Sequence, residues 1–473
     1  RSQPGARVSA AALPSGLASF SRLLGGVVSP SPAQPKHRVL IIGGGMGGVS
    51  IASQLLKKLE EQDRDVAIVE PSDTNFYRPG WTMVGGIGYD VKETAQPMGQ
   101  VIPEGATWVR ERCAEFRPES SEVVLGNGQT VGYDVLIVTA GIAYDFDTIK
   151  GLPETLGKNG VSSIYGHKTA PLVWEQICGL KGGTAIFTNP ATAVSCGGAP
   201  QKIMYLAENH WRREGVRDAV DVAYYSAGPK VFGIDKYADS LAQEQDERGI
   251  GRCMEYDLVE VDGPAKTAVF EHKGERVTKK FDLLHVTPNM SAPGFIKKSP
   301  IANEQTGWVD VDKKTCQHNK YPNIFSFGDC SAVPARTFTG LASQAPVVAH
   351  NVIGFLRDGL SAESAQYDGY TCCPIMVGDD QVILAEFNVF TKEPVSTFWP
   401  IDQSRPNPLF YFMKRFIFRP VYFNLCPVGR WFSASSFFVF EPNYTGKTVK
   451  RAAASSRGAV ATSALRGGAG ARR

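Results

Sequence analysis

The sequence predicts an α/β protein with two Rossmann-like dinucleotide-binding domains and a membrane-facing C-terminal region. Three observations support this prediction. An apolar strand at residues 37–42 runs into a glycine-rich turn, a similar strand at residues 183–188 begins a second unit, and a strand ending at Gly328-Asp329 returns the chain to the first unit. Strands buried on both faces of a parallel sheet appear as continuous apolar runs, as these segments do.

The first glycine-rich turn, residues 43–48, has the spacing of a dinucleotide fingerprint. Gly43 permits a tight turn, Gly45 lets a pyrophosphate approach the backbone at a helix N-terminus, and Gly48 lets that helix pack closely on the strand. The next strand ends in the acidic residue Glu70, and an acid there can hold a ribose hydroxyl pair. Together these features predict an adenine dinucleotide site.

The segment around Gly328 and Asp329 favours FAD as that dinucleotide. Residues 323–330 form a strand that ends in Gly-Asp, and a helical stretch follows at residues 341–355. This order resembles the flavoproteins with two dinucleotide domains. The resemblance implies that Asp329 holds the ribityl chain, that the helix faces the isoalloxazine ring, and that Cys330 is a structural thiol nearby.

The second unit lacks the glycine-rich loop that would bind a nicotinamide nucleotide. Its first strand runs into residues 189–196, where Pro190 removes a backbone donor and bulkier residues oppose close phosphate approach. A helix is predicted to start at Pro200. Cys196 lies just before its positive end and Lys202 lies within two turns, so the Cys196 thiolate should be stabilised. A cysteine before a helix also occurs by chance, and the position alone does not make it catalytic.

Several segments resemble the mitochondrial sulfide:quinone oxidoreductase family, and the resemblance covers about residues 37–430. They are Val194–Leu206, His285–Pro288, Gly307–Asp312, Phe327–Cys330 and Tyr367–Pro374. The two cysteine loops among them are the family's diagnostic parts.

The resemblance implies roles for two cysteines. Cys196 and Cys373 would form a redox-active bridge beside FAD, which hydrogen sulfide attacks to leave a persulfide on Cys373. The Cys196 thiolate would contact flavin C4a. The persulfide sulfur would pass to a small acceptor, which is glutathione, sulfite or a second sulfide, and the electrons would pass through FAD to ubiquinone. Thiol–disulfide exchange of this kind needs a good leaving thiolate.

Cys372 departs from the family pattern, which has a single cysteine before the proline. Alignment assigns the role to Cys373, but an adjacent thiol could compete for it. Vicinal cysteines rarely bridge each other because the ring is strained.

Cys113 lies in a segment that resembles the edge of a strand and receives no role. The aromatic loop at residues 75–86 resembles a flavin-contacting segment, although simple loop packing explains its composition as well.

A C-terminal stretch, residues 408–440, is rich in aromatic side chains, but cations and prolines interrupt every apolar run. None reaches the ~18 residues that a spanning helix requires. Aromatics interleaved with Lys414, Arg415, Arg419 and Arg430 suit a surface that lies in the membrane interface and extends its charges toward headgroups. We therefore expect a monotopic protein whose quinone pocket opens toward the bilayer; a dimer interface or core packing is the alternative.

Composition limits the function classes and the location. A chain of 473 residues exceeds one ordinary core, and a net charge of +3 gives no reason to expect a nucleic-acid partner. Nine irregularly spaced cysteines form neither a secreted disulfide framework nor a zinc motif, so no metal site is predicted. Residues 1–36 are basic and lack acids, which is typical of an organelle transit peptide. A peripheral place on the mitochondrial inner membrane, facing the matrix, follows from that and from the resemblance.

We expect an FAD domain from residues 37–150 and 290–370, a second Rossmann-like domain at 151–289, a membrane-associating region at 371–446 and a disordered basic tail at 447–473. Two alternative functions remain open. A type II NADH:quinone dehydrogenase would share the fold but requires the missing glycine-rich loop, and a catalytically silent module would bind FAD without reacting with sulfide. Oligomeric state is not predicted.

Overall fold

The computed structural model describes residues 35–359, 364–438 and 441–446. Residues 1–34 of the predicted transit peptide lie outside the described residues, as does the predicted basic tail at 447–473. The bounds below refer to the described part of the chain.

The strands include those predicted at residues 37–42 and 183–188 and within residues 323–330. In chain order they are β1 (Lys36–Ile42), β2 (Val66–Val69), β3 (Thr74–Phe76), β4 (Ala95–Pro97), β5 (Ala106–Val109), β6 (Cys113–Arg117), β7 (Glu122–Leu125), β8 (Thr130–Val138), β9 (Ala143–Asp145), β10 (Val161–Ser162), β11 (Gly183–Asn189), β12 (Val220–Ser226), β13 (Gly251–Met254), β14 (Asp257–Asp262), β15 (Thr267–His272), β16 (Glu275–Lys280), β17 (Leu283–His285), β18 (Asn289–Ser291), β19 (Ile324–Ser326), β20 (Tyr370–Gly378) and β21 (Gln381–Asn388).

The helices include those predicted to start at Pro200 and over residues 341–355, and the helix after the first glycine-rich turn, whose apolar pattern at residues 49–60 predicts it. In chain order they are α1 (Met46–Lys58), α2 (Trp81–Ile87), α3 (Met98–Val101), α4 (Leu152–Thr155), α5 (Ala170–Gly179), α6 (Ala199–Arg213), α7 (Asp235–Glu247), α8 (Gly294–Lys297), α9 (Phe338–Asp358), α10 (Pro408–Phe412), α11 (Phe418–Pro420) and α12 (Ser435–Phe438). Two π-helical turns, Met413–Ile417 and Val421–Leu425, join onto α10 and α11.

The first sheet has the strand order β5-β2-β1-β8-β7-β6. The strands β5, β2, β1 and β8 are parallel, and β19 pairs in parallel with the last three residues of β8, beyond the point where antiparallel β7 ends. The core of this sheet is fully buried, because Val39, Leu40 and Ile41 on β1 are inaccessible to solvent. Strand β19 comes from residues far along the chain, which agrees with the predicted return to the first unit.

The second sheet is entirely parallel and has the order β10-β17-β11-β12-β13. The strand β11, which begins the Rossmann-like unit, is the central strand of this sheet, as β1 is in the first sheet. A three-stranded antiparallel sheet, β14-β15-β16, is inserted between β13 and β17. The loop after β11 therefore lies at the carboxyl edge of the second sheet.

An antiparallel hairpin, β20-β21, packs between the second unit and the helices at residues 408–438. One face, which includes Cys373 and Ile375, joins the apolar core of the second unit. The opposite face, which includes Cys372 and Met376, joins the core formed by the C-terminal helices. Because successive side chains of a strand point to opposite faces, the two adjacent cysteines face different cores.

Candidate active site

A cavity lies at the carboxyl ends of β1 and β8, and the turns at Gly43 and at residues 139–141 form one of its walls. The strand order reverses between these two strands, since β2 lies beyond β1 and β19 lies beyond β8. Open parallel sheets bind ligands at such a switch point. The cavity volume is about 320 Å³, which lies within the range of small-molecule sites.

The three predicted fingerprint glycines surround the N-terminus of α1. Gly43 has a φ of +106°, and a Cβ there would lie 2.6 Å from the Thr139 carbonyl oxygen. A Cβ on Gly48 would lie 1.9 Å from the Gly43 carbonyl oxygen, so only glycine allows this packing. Gly45 lines the cavity, and a Cβ there would meet nothing within 4 Å. Open space at a helix N-terminus is what a pyrophosphate requires.

Glu70 lies one residue beyond β2, on the cavity wall. One carboxylate oxygen accepts a hydrogen bond from the Gly44 amide, and the other accepts one from the Ser72 amide, each at 2.8 Å. Its carboxylate is therefore fixed beside the glycine-rich turn. This is the place from which an acidic residue reaches ribose hydroxyls in dinucleotide-binding domains.

Asp329 lines the same cavity and faces the second unit. Its Oδ2 accepts a hydrogen bond from the Ser195 hydroxyl at 2.9 Å, which ties the first unit to the cysteine loop. The preceding Gly328 has a φ of +74° and donates its amide to Gln344 at 2.9 Å. The left-handed backbone at Gly328 explains why glycine precedes the acid.

Cys196 and Cys373 meet at the junction of the two units. Their Sγ atoms are 3.0 Å apart across 177 residues of sequence. Both are free thiols in the structure, and a small movement would bring the sulfurs to bonding distance. Cys196 has a φ of +59°, and its amide donates to the Arg336 carbonyl at 2.8 Å. The loop thus holds Cys196 in a backbone conformation that few non-glycine residues adopt.

Two neighbours favour the thiolate of Cys196. The pKa of Cys196 lies well below its ordinary value because Cys373 donates a hydrogen bond to it, and the Lys202 ammonium adds to the effect against the opposing influence of burial. The Lys202 Nζ lies 3.2 Å from the Cys196 sulfur. Burial alone would lower the pKa of Lys202, but the sulfurs of Cys196 and Cys373 raise it above its ordinary value. Lys202 and Cys196 therefore form an ammonium–thiolate contact at the start of α6.

The geometry distinguishes Cys373 from Cys372. The pKa of Cys373 is raised through its hydrogen bond to Cys196 and through burial, so this partner holds the proton. Cys372 faces the opposite core and also lines the cavity. Space near the pair is tight, since a Cβ on Gly198 would lie 2.6 Å from the Cys373 sulfur. Cys113 is buried in β6, among the residues of the first core.

Lys414 was expected at the membrane interface, and the structure corrects that expectation. Only 2% of the residue is exposed, and it lines the cavity. Its ammonium donates to the Pro79 carbonyl at 2.7 Å and lies 5.4 Å from the centre of the Tyr77 ring. Burial, together with the Lys202 charge, lowers its pKa to about 7. The sequence alone does not identify Lys414 as a cavity residue, because a cation among aromatic residues is also typical of a membrane surface.

Further cavity residues come from segments for which no individual site residue was predicted. The aromatic loop supplies seven of its residues to the cavity wall, so it both packs and borders the site: Asn75, Phe76, Tyr77, Arg78, Pro79, Trp81 and Thr82. The first turn of α9 supplies Phe338, Thr339 and Leu341, as the predicted helix facing the ring would require. Tyr165 borders the cavity without any sequence signal that could have identified it.

Residues 399–428 carry large apolar side chains that are exposed to solvent. Those exposed by more than a third are Trp399, Leu409, Phe412, Phe416, Leu425 and Val428. Among the described residues, helices are all too short or too polar to span a bilayer. Within the same residues, no cluster of His, Cys, Asp or Glu is arranged to hold a metal ion.

Comparison with known proteins gives the chain two close relatives. It is 41% identical to a mitochondrial sulfide:quinone oxidoreductase of Dictyostelium discoideum over 90% of this chain and 93% of that protein. It is 39% identical to the Mus musculus protein of that name over 84% of this chain and 88% of that one. A scan against protein-family models found no match.

Two more distant similarities concern the fold and the alternative function as a type II NADH:quinone dehydrogenase. The sulfide:quinone oxidoreductase structure from Aquifex aeolicus superposes with a TM-score of 0.72 at 17% identity, covering 86% of this chain and 96% of that one. At that identity the match concerns the fold. A type II NADH:quinone oxidoreductase of Staphylococcus aureus is 21% identical over 77% of this chain and 95% of its own length, so the alternative family is only distantly related.

Proposed function

The chain belongs to the mitochondrial sulfide:quinone oxidoreductase family, and we propose that Cys196 and Cys373 form the sulfur-reactive pair of this enzyme. The observation that carries the proposal is their 3.0 Å sulfur–sulfur distance beside Lys202, at the edge of the cavity that the glycine-rich turn also lines. The enzyme oxidises sulfide and reduces quinone. The roles of individual residues are inferred from the geometry.

Cys196 is suited to be the leaving group. In the oxidised pair, hydrosulfide attacks the Cys373 sulfur; a new sulfur–sulfur bond forms there, and the bond to Cys196 breaks. Cys196 leaves as a thiolate, which Lys202 stabilises at 3.2 Å. A leaving thiolate with a lowered pKa departs faster in such exchanges. The terminal sulfur on Cys373 then passes to the acceptor, and re-forming the bridge releases two electrons.

The positive charge of Lys202 suits the substrates of this step, and Lys414 adds to it at pH values near or below about 7, where its amine is protonated. Both side chains are buried, and both interact electrostatically with the two cysteines. A cavity lined by one sign of charge in a low-dielectric setting concentrates ligands of the opposite sign. We infer that Lys202, joined by Lys414 when that residue is protonated, favours hydrosulfide and an anionic sulfur acceptor such as sulfite or the glutathione thiolate.

FAD fits the residues on the opposite wall. Gly43, Gly45 and Gly48 leave room at the N-terminus of α1, and Glu70 is fixed where a ribose would lie. Asp329 borders the space between the glycine-rich turn and the cysteine pair. Bound there, FAD supplies an acceptor for the two electrons of sulfide and a donor for quinone.

The exposed apolar side chains at residues 399–428 favour a membrane surface as the source of quinone. Phe412 and Phe416 are 52% and 56% exposed, and nearby Arg415 lies over the Tyr89 ring and Arg419 over the Phe423 ring. Aromatics and cations in this arrangement bind in the plane of an interface. Since the family is mitochondrial, we propose the matrix face of the inner membrane, with ubiquinone reaching the cavity past Phe418 and Tyr422.

An anaerobic absorbance titration tests the function. Sulfide should bleach the flavin of the holoenzyme and produce a long-wavelength thiolate–flavin band, and a short-chain ubiquinone should reverse the bleaching. Cys196→Ser and Cys373→Ser should each abolish sulfide-driven bleaching while FAD stays bound. Cys178→Ser, a thiol on α5, should behave as the wild type does. Bleaching by NADH but not by sulfide would overturn the proposal, as would silence toward both.

A further inference from the structure

Glu386 is a buried carboxyl group that the sulfur chemistry leaves without a role. It lies on β21 directly opposite Cys372 of β20, and only 2% of it is exposed. Opposite residues of an antiparallel pair place their side chains on the same face of the sheet. Glu386 and Cys372 therefore share the face that packs against the C-terminal helices. An unneeded buried carboxyl is costly, so its contacts indicate what it does.

The Glu386 carboxyl group is held by donors on both of its oxygens. The Tyr370 hydroxyl donates a hydrogen bond to Oε1, and the Gln403 side chain donates one to Oε2. The Thr397 amide also donates to Oε2, at 3.0 Å. The Tyr237 hydroxyl lies between the backbone amide and carbonyl of Glu386, at 3.2 and 2.9 Å, and fixes the strand.

The inner end of this group of residues is Cys372, which lines the cavity. Tyr370 and Cys372 are two residues apart on β20, so their side chains lie on the same face. Burial raises the pKa of Cys372 and the Glu386 charge raises it further, while Lys202 and the Tyr370 hydroxyl act in the opposite direction. Cys372 is consequently a protonated thiol at neutral pH, which suits a proton carrier better than a nucleophile.

The outer end is Thr397, a partly exposed residue in the surface segment 391–400. The hydrogen bond from its backbone amide to Glu386 places the carboxyl one residue layer beneath solvent. On the side of Tyr237, the Asp402 carboxylate acts on the Tyr237 hydroxyl, and Lys236 pairs with Asp402 at 3.1 Å. Burial raises the pKa of Glu386 above the ordinary glutamate value, so the carboxyl can hold a proton at less acidic pH.

We propose that Glu386, Tyr370 and Cys372 form a proton relay from the surface at Thr397 to the quinone end of the cavity. This inference rests on the proposed function, because reduction of a quinone takes up two electrons and two protons. Cys372 gives its proton to a reduced quinone oxygen, and Tyr370 reprotonates the Cys372 sulfur. A protonated Glu386 then reprotonates Tyr370 by reversing their hydrogen bond, and the sequence runs twice for the two protons of each quinone. Solvent then restores the Glu386 proton, so no net charge stays behind and no electron moves along the path.

Separate half-reactions test the relay in the holoenzyme. Stopped-flow absorbance should show that Glu386→Gln reduces its flavin with sulfide at close to the wild-type rate. Reoxidation by a short-chain ubiquinone should slow by about a hundredfold or more, the lower end of what a proton-transfer group contributes, and its solvent deuterium isotope effect should rise. Tyr370→Phe should give the same pattern, and Glu386→Asp should recover part of the rate. Equal slowing of both half-reactions, or no slowing of either, would overturn the relay.

An infrared titration supplies a readout that does not depend on turnover. The holoenzyme should show a protonated-carboxyl band that persists above the ordinary glutamate range, and Glu386→Gln should remove it. Glu393→Gln, an exposed carboxyl in the same surface segment, is the matched control and should retain both the band and the reoxidation rate. A band unchanged in Glu386→Gln would reject the proton-holding role. If sulfide failed to bleach even the wild-type flavin, the proposed function would fail instead of the relay.

Discussion

The Lys202 ammonium lies 3.2 Å from the Cys196 sulfur; Lys202 is in the first turn of α6 and Cys196 is three residues before its start. The helix N-terminus and the ammonium both favour the thiolate. Lys202 is only 4% exposed, so the contact is shielded from salt and solvent. Its burial requires a negative partner, because an unpaired buried ammonium is strongly disfavoured.

Replacing Lys202 by Met should therefore raise the pKa of the Cys196 thiol and weaken the leaving group. We expect flavin reduction by sulfide to slow by about tenfold or more and its pH profile to move to higher pH. Stopped-flow absorbance between mildly acidic and mildly alkaline pH measures both. Lys230→Met, a surface lysine with 61% of its side chain exposed, is the control. An unshifted pH profile in Lys202→Met would remove Lys202 from the activation of Cys196.

Gly198 should be needed for the cysteine contact, whereas its neighbour Gly197 should not. An added Cβ at Gly198 would lie 2.6 Å from the Cys373 sulfur and 3.0 Å from Ile375, while one at Gly197 would meet nothing within 4 Å. Gly198→Ala should push the Cys373 sulfur away and slow flavin reduction by sulfide at least about tenfold, since small misplacements of reacting atoms are costly. Gly197→Ala should retain the wild-type rate. Equal rates in the two variants would mean that this spacing does not limit the reaction.

The fold was predictable because its signals are local. The apolar run before Gly43 and the acid at Glu70 lie within one strand–helix–strand unit, and steric limits on the backbone determine them. The helix after Cys196 was likewise readable from Pro200 and its apolar pattern, and the structure starts it one residue earlier, at Ala199.

The site was less predictable because it depends on contacts between distant segments. Lys414 and Tyr165 reach the cavity from different parts of the chain, and nothing in their neighbouring residues indicates this. The opposite directions of Cys372 and Cys373 follow from strand alternation, but only once β20 is known to lie between two cores. The family resemblance supplied the cysteine pairing that local patterns could not.

The exposed pair Phe412 and Phe416 should contribute to membrane binding. Their rings lie 5.3 Å apart at the surface of the C-terminal helices, where burial in lipid would remove apolar area from water. Changing both to Asp should reduce cosedimentation with vesicles of phosphatidylcholine and cardiolipin by about tenfold or more, with FAD content unchanged. Changing both to Leu keeps the apolar surface and should preserve binding. If the Asp variant bound vesicles as the wild type does, this face would not be the membrane surface.

Lys414 should make the stability of the protein depend on pH. Its pKa falls from 10.5 to about 7 in the folded protein because of burial. Between these values the unfolded chain binds the proton and the folded chain does not, so the free energy of unfolding rises with pH across this window. The contribution of Lys414 is lost as pH falls toward 7.

The Lys414→Met variant removes that contribution. Relative to the variant, the wild type should gain roughly 2 kcal/mol between about pH 7.5 and about pH 9, at 1.36 kcal/mol for each pH unit. Urea denaturation of both proteins at the two pH values measures the difference, and titrations elsewhere in the chain cancel in the comparison. Lys298→Met, at an exposed position, should follow the wild type. A constant gap between Lys414→Met and the wild type across this pH range would show that Lys414 keeps its proton inside the cavity, and its charge would then act on Cys196 and Cys373 throughout.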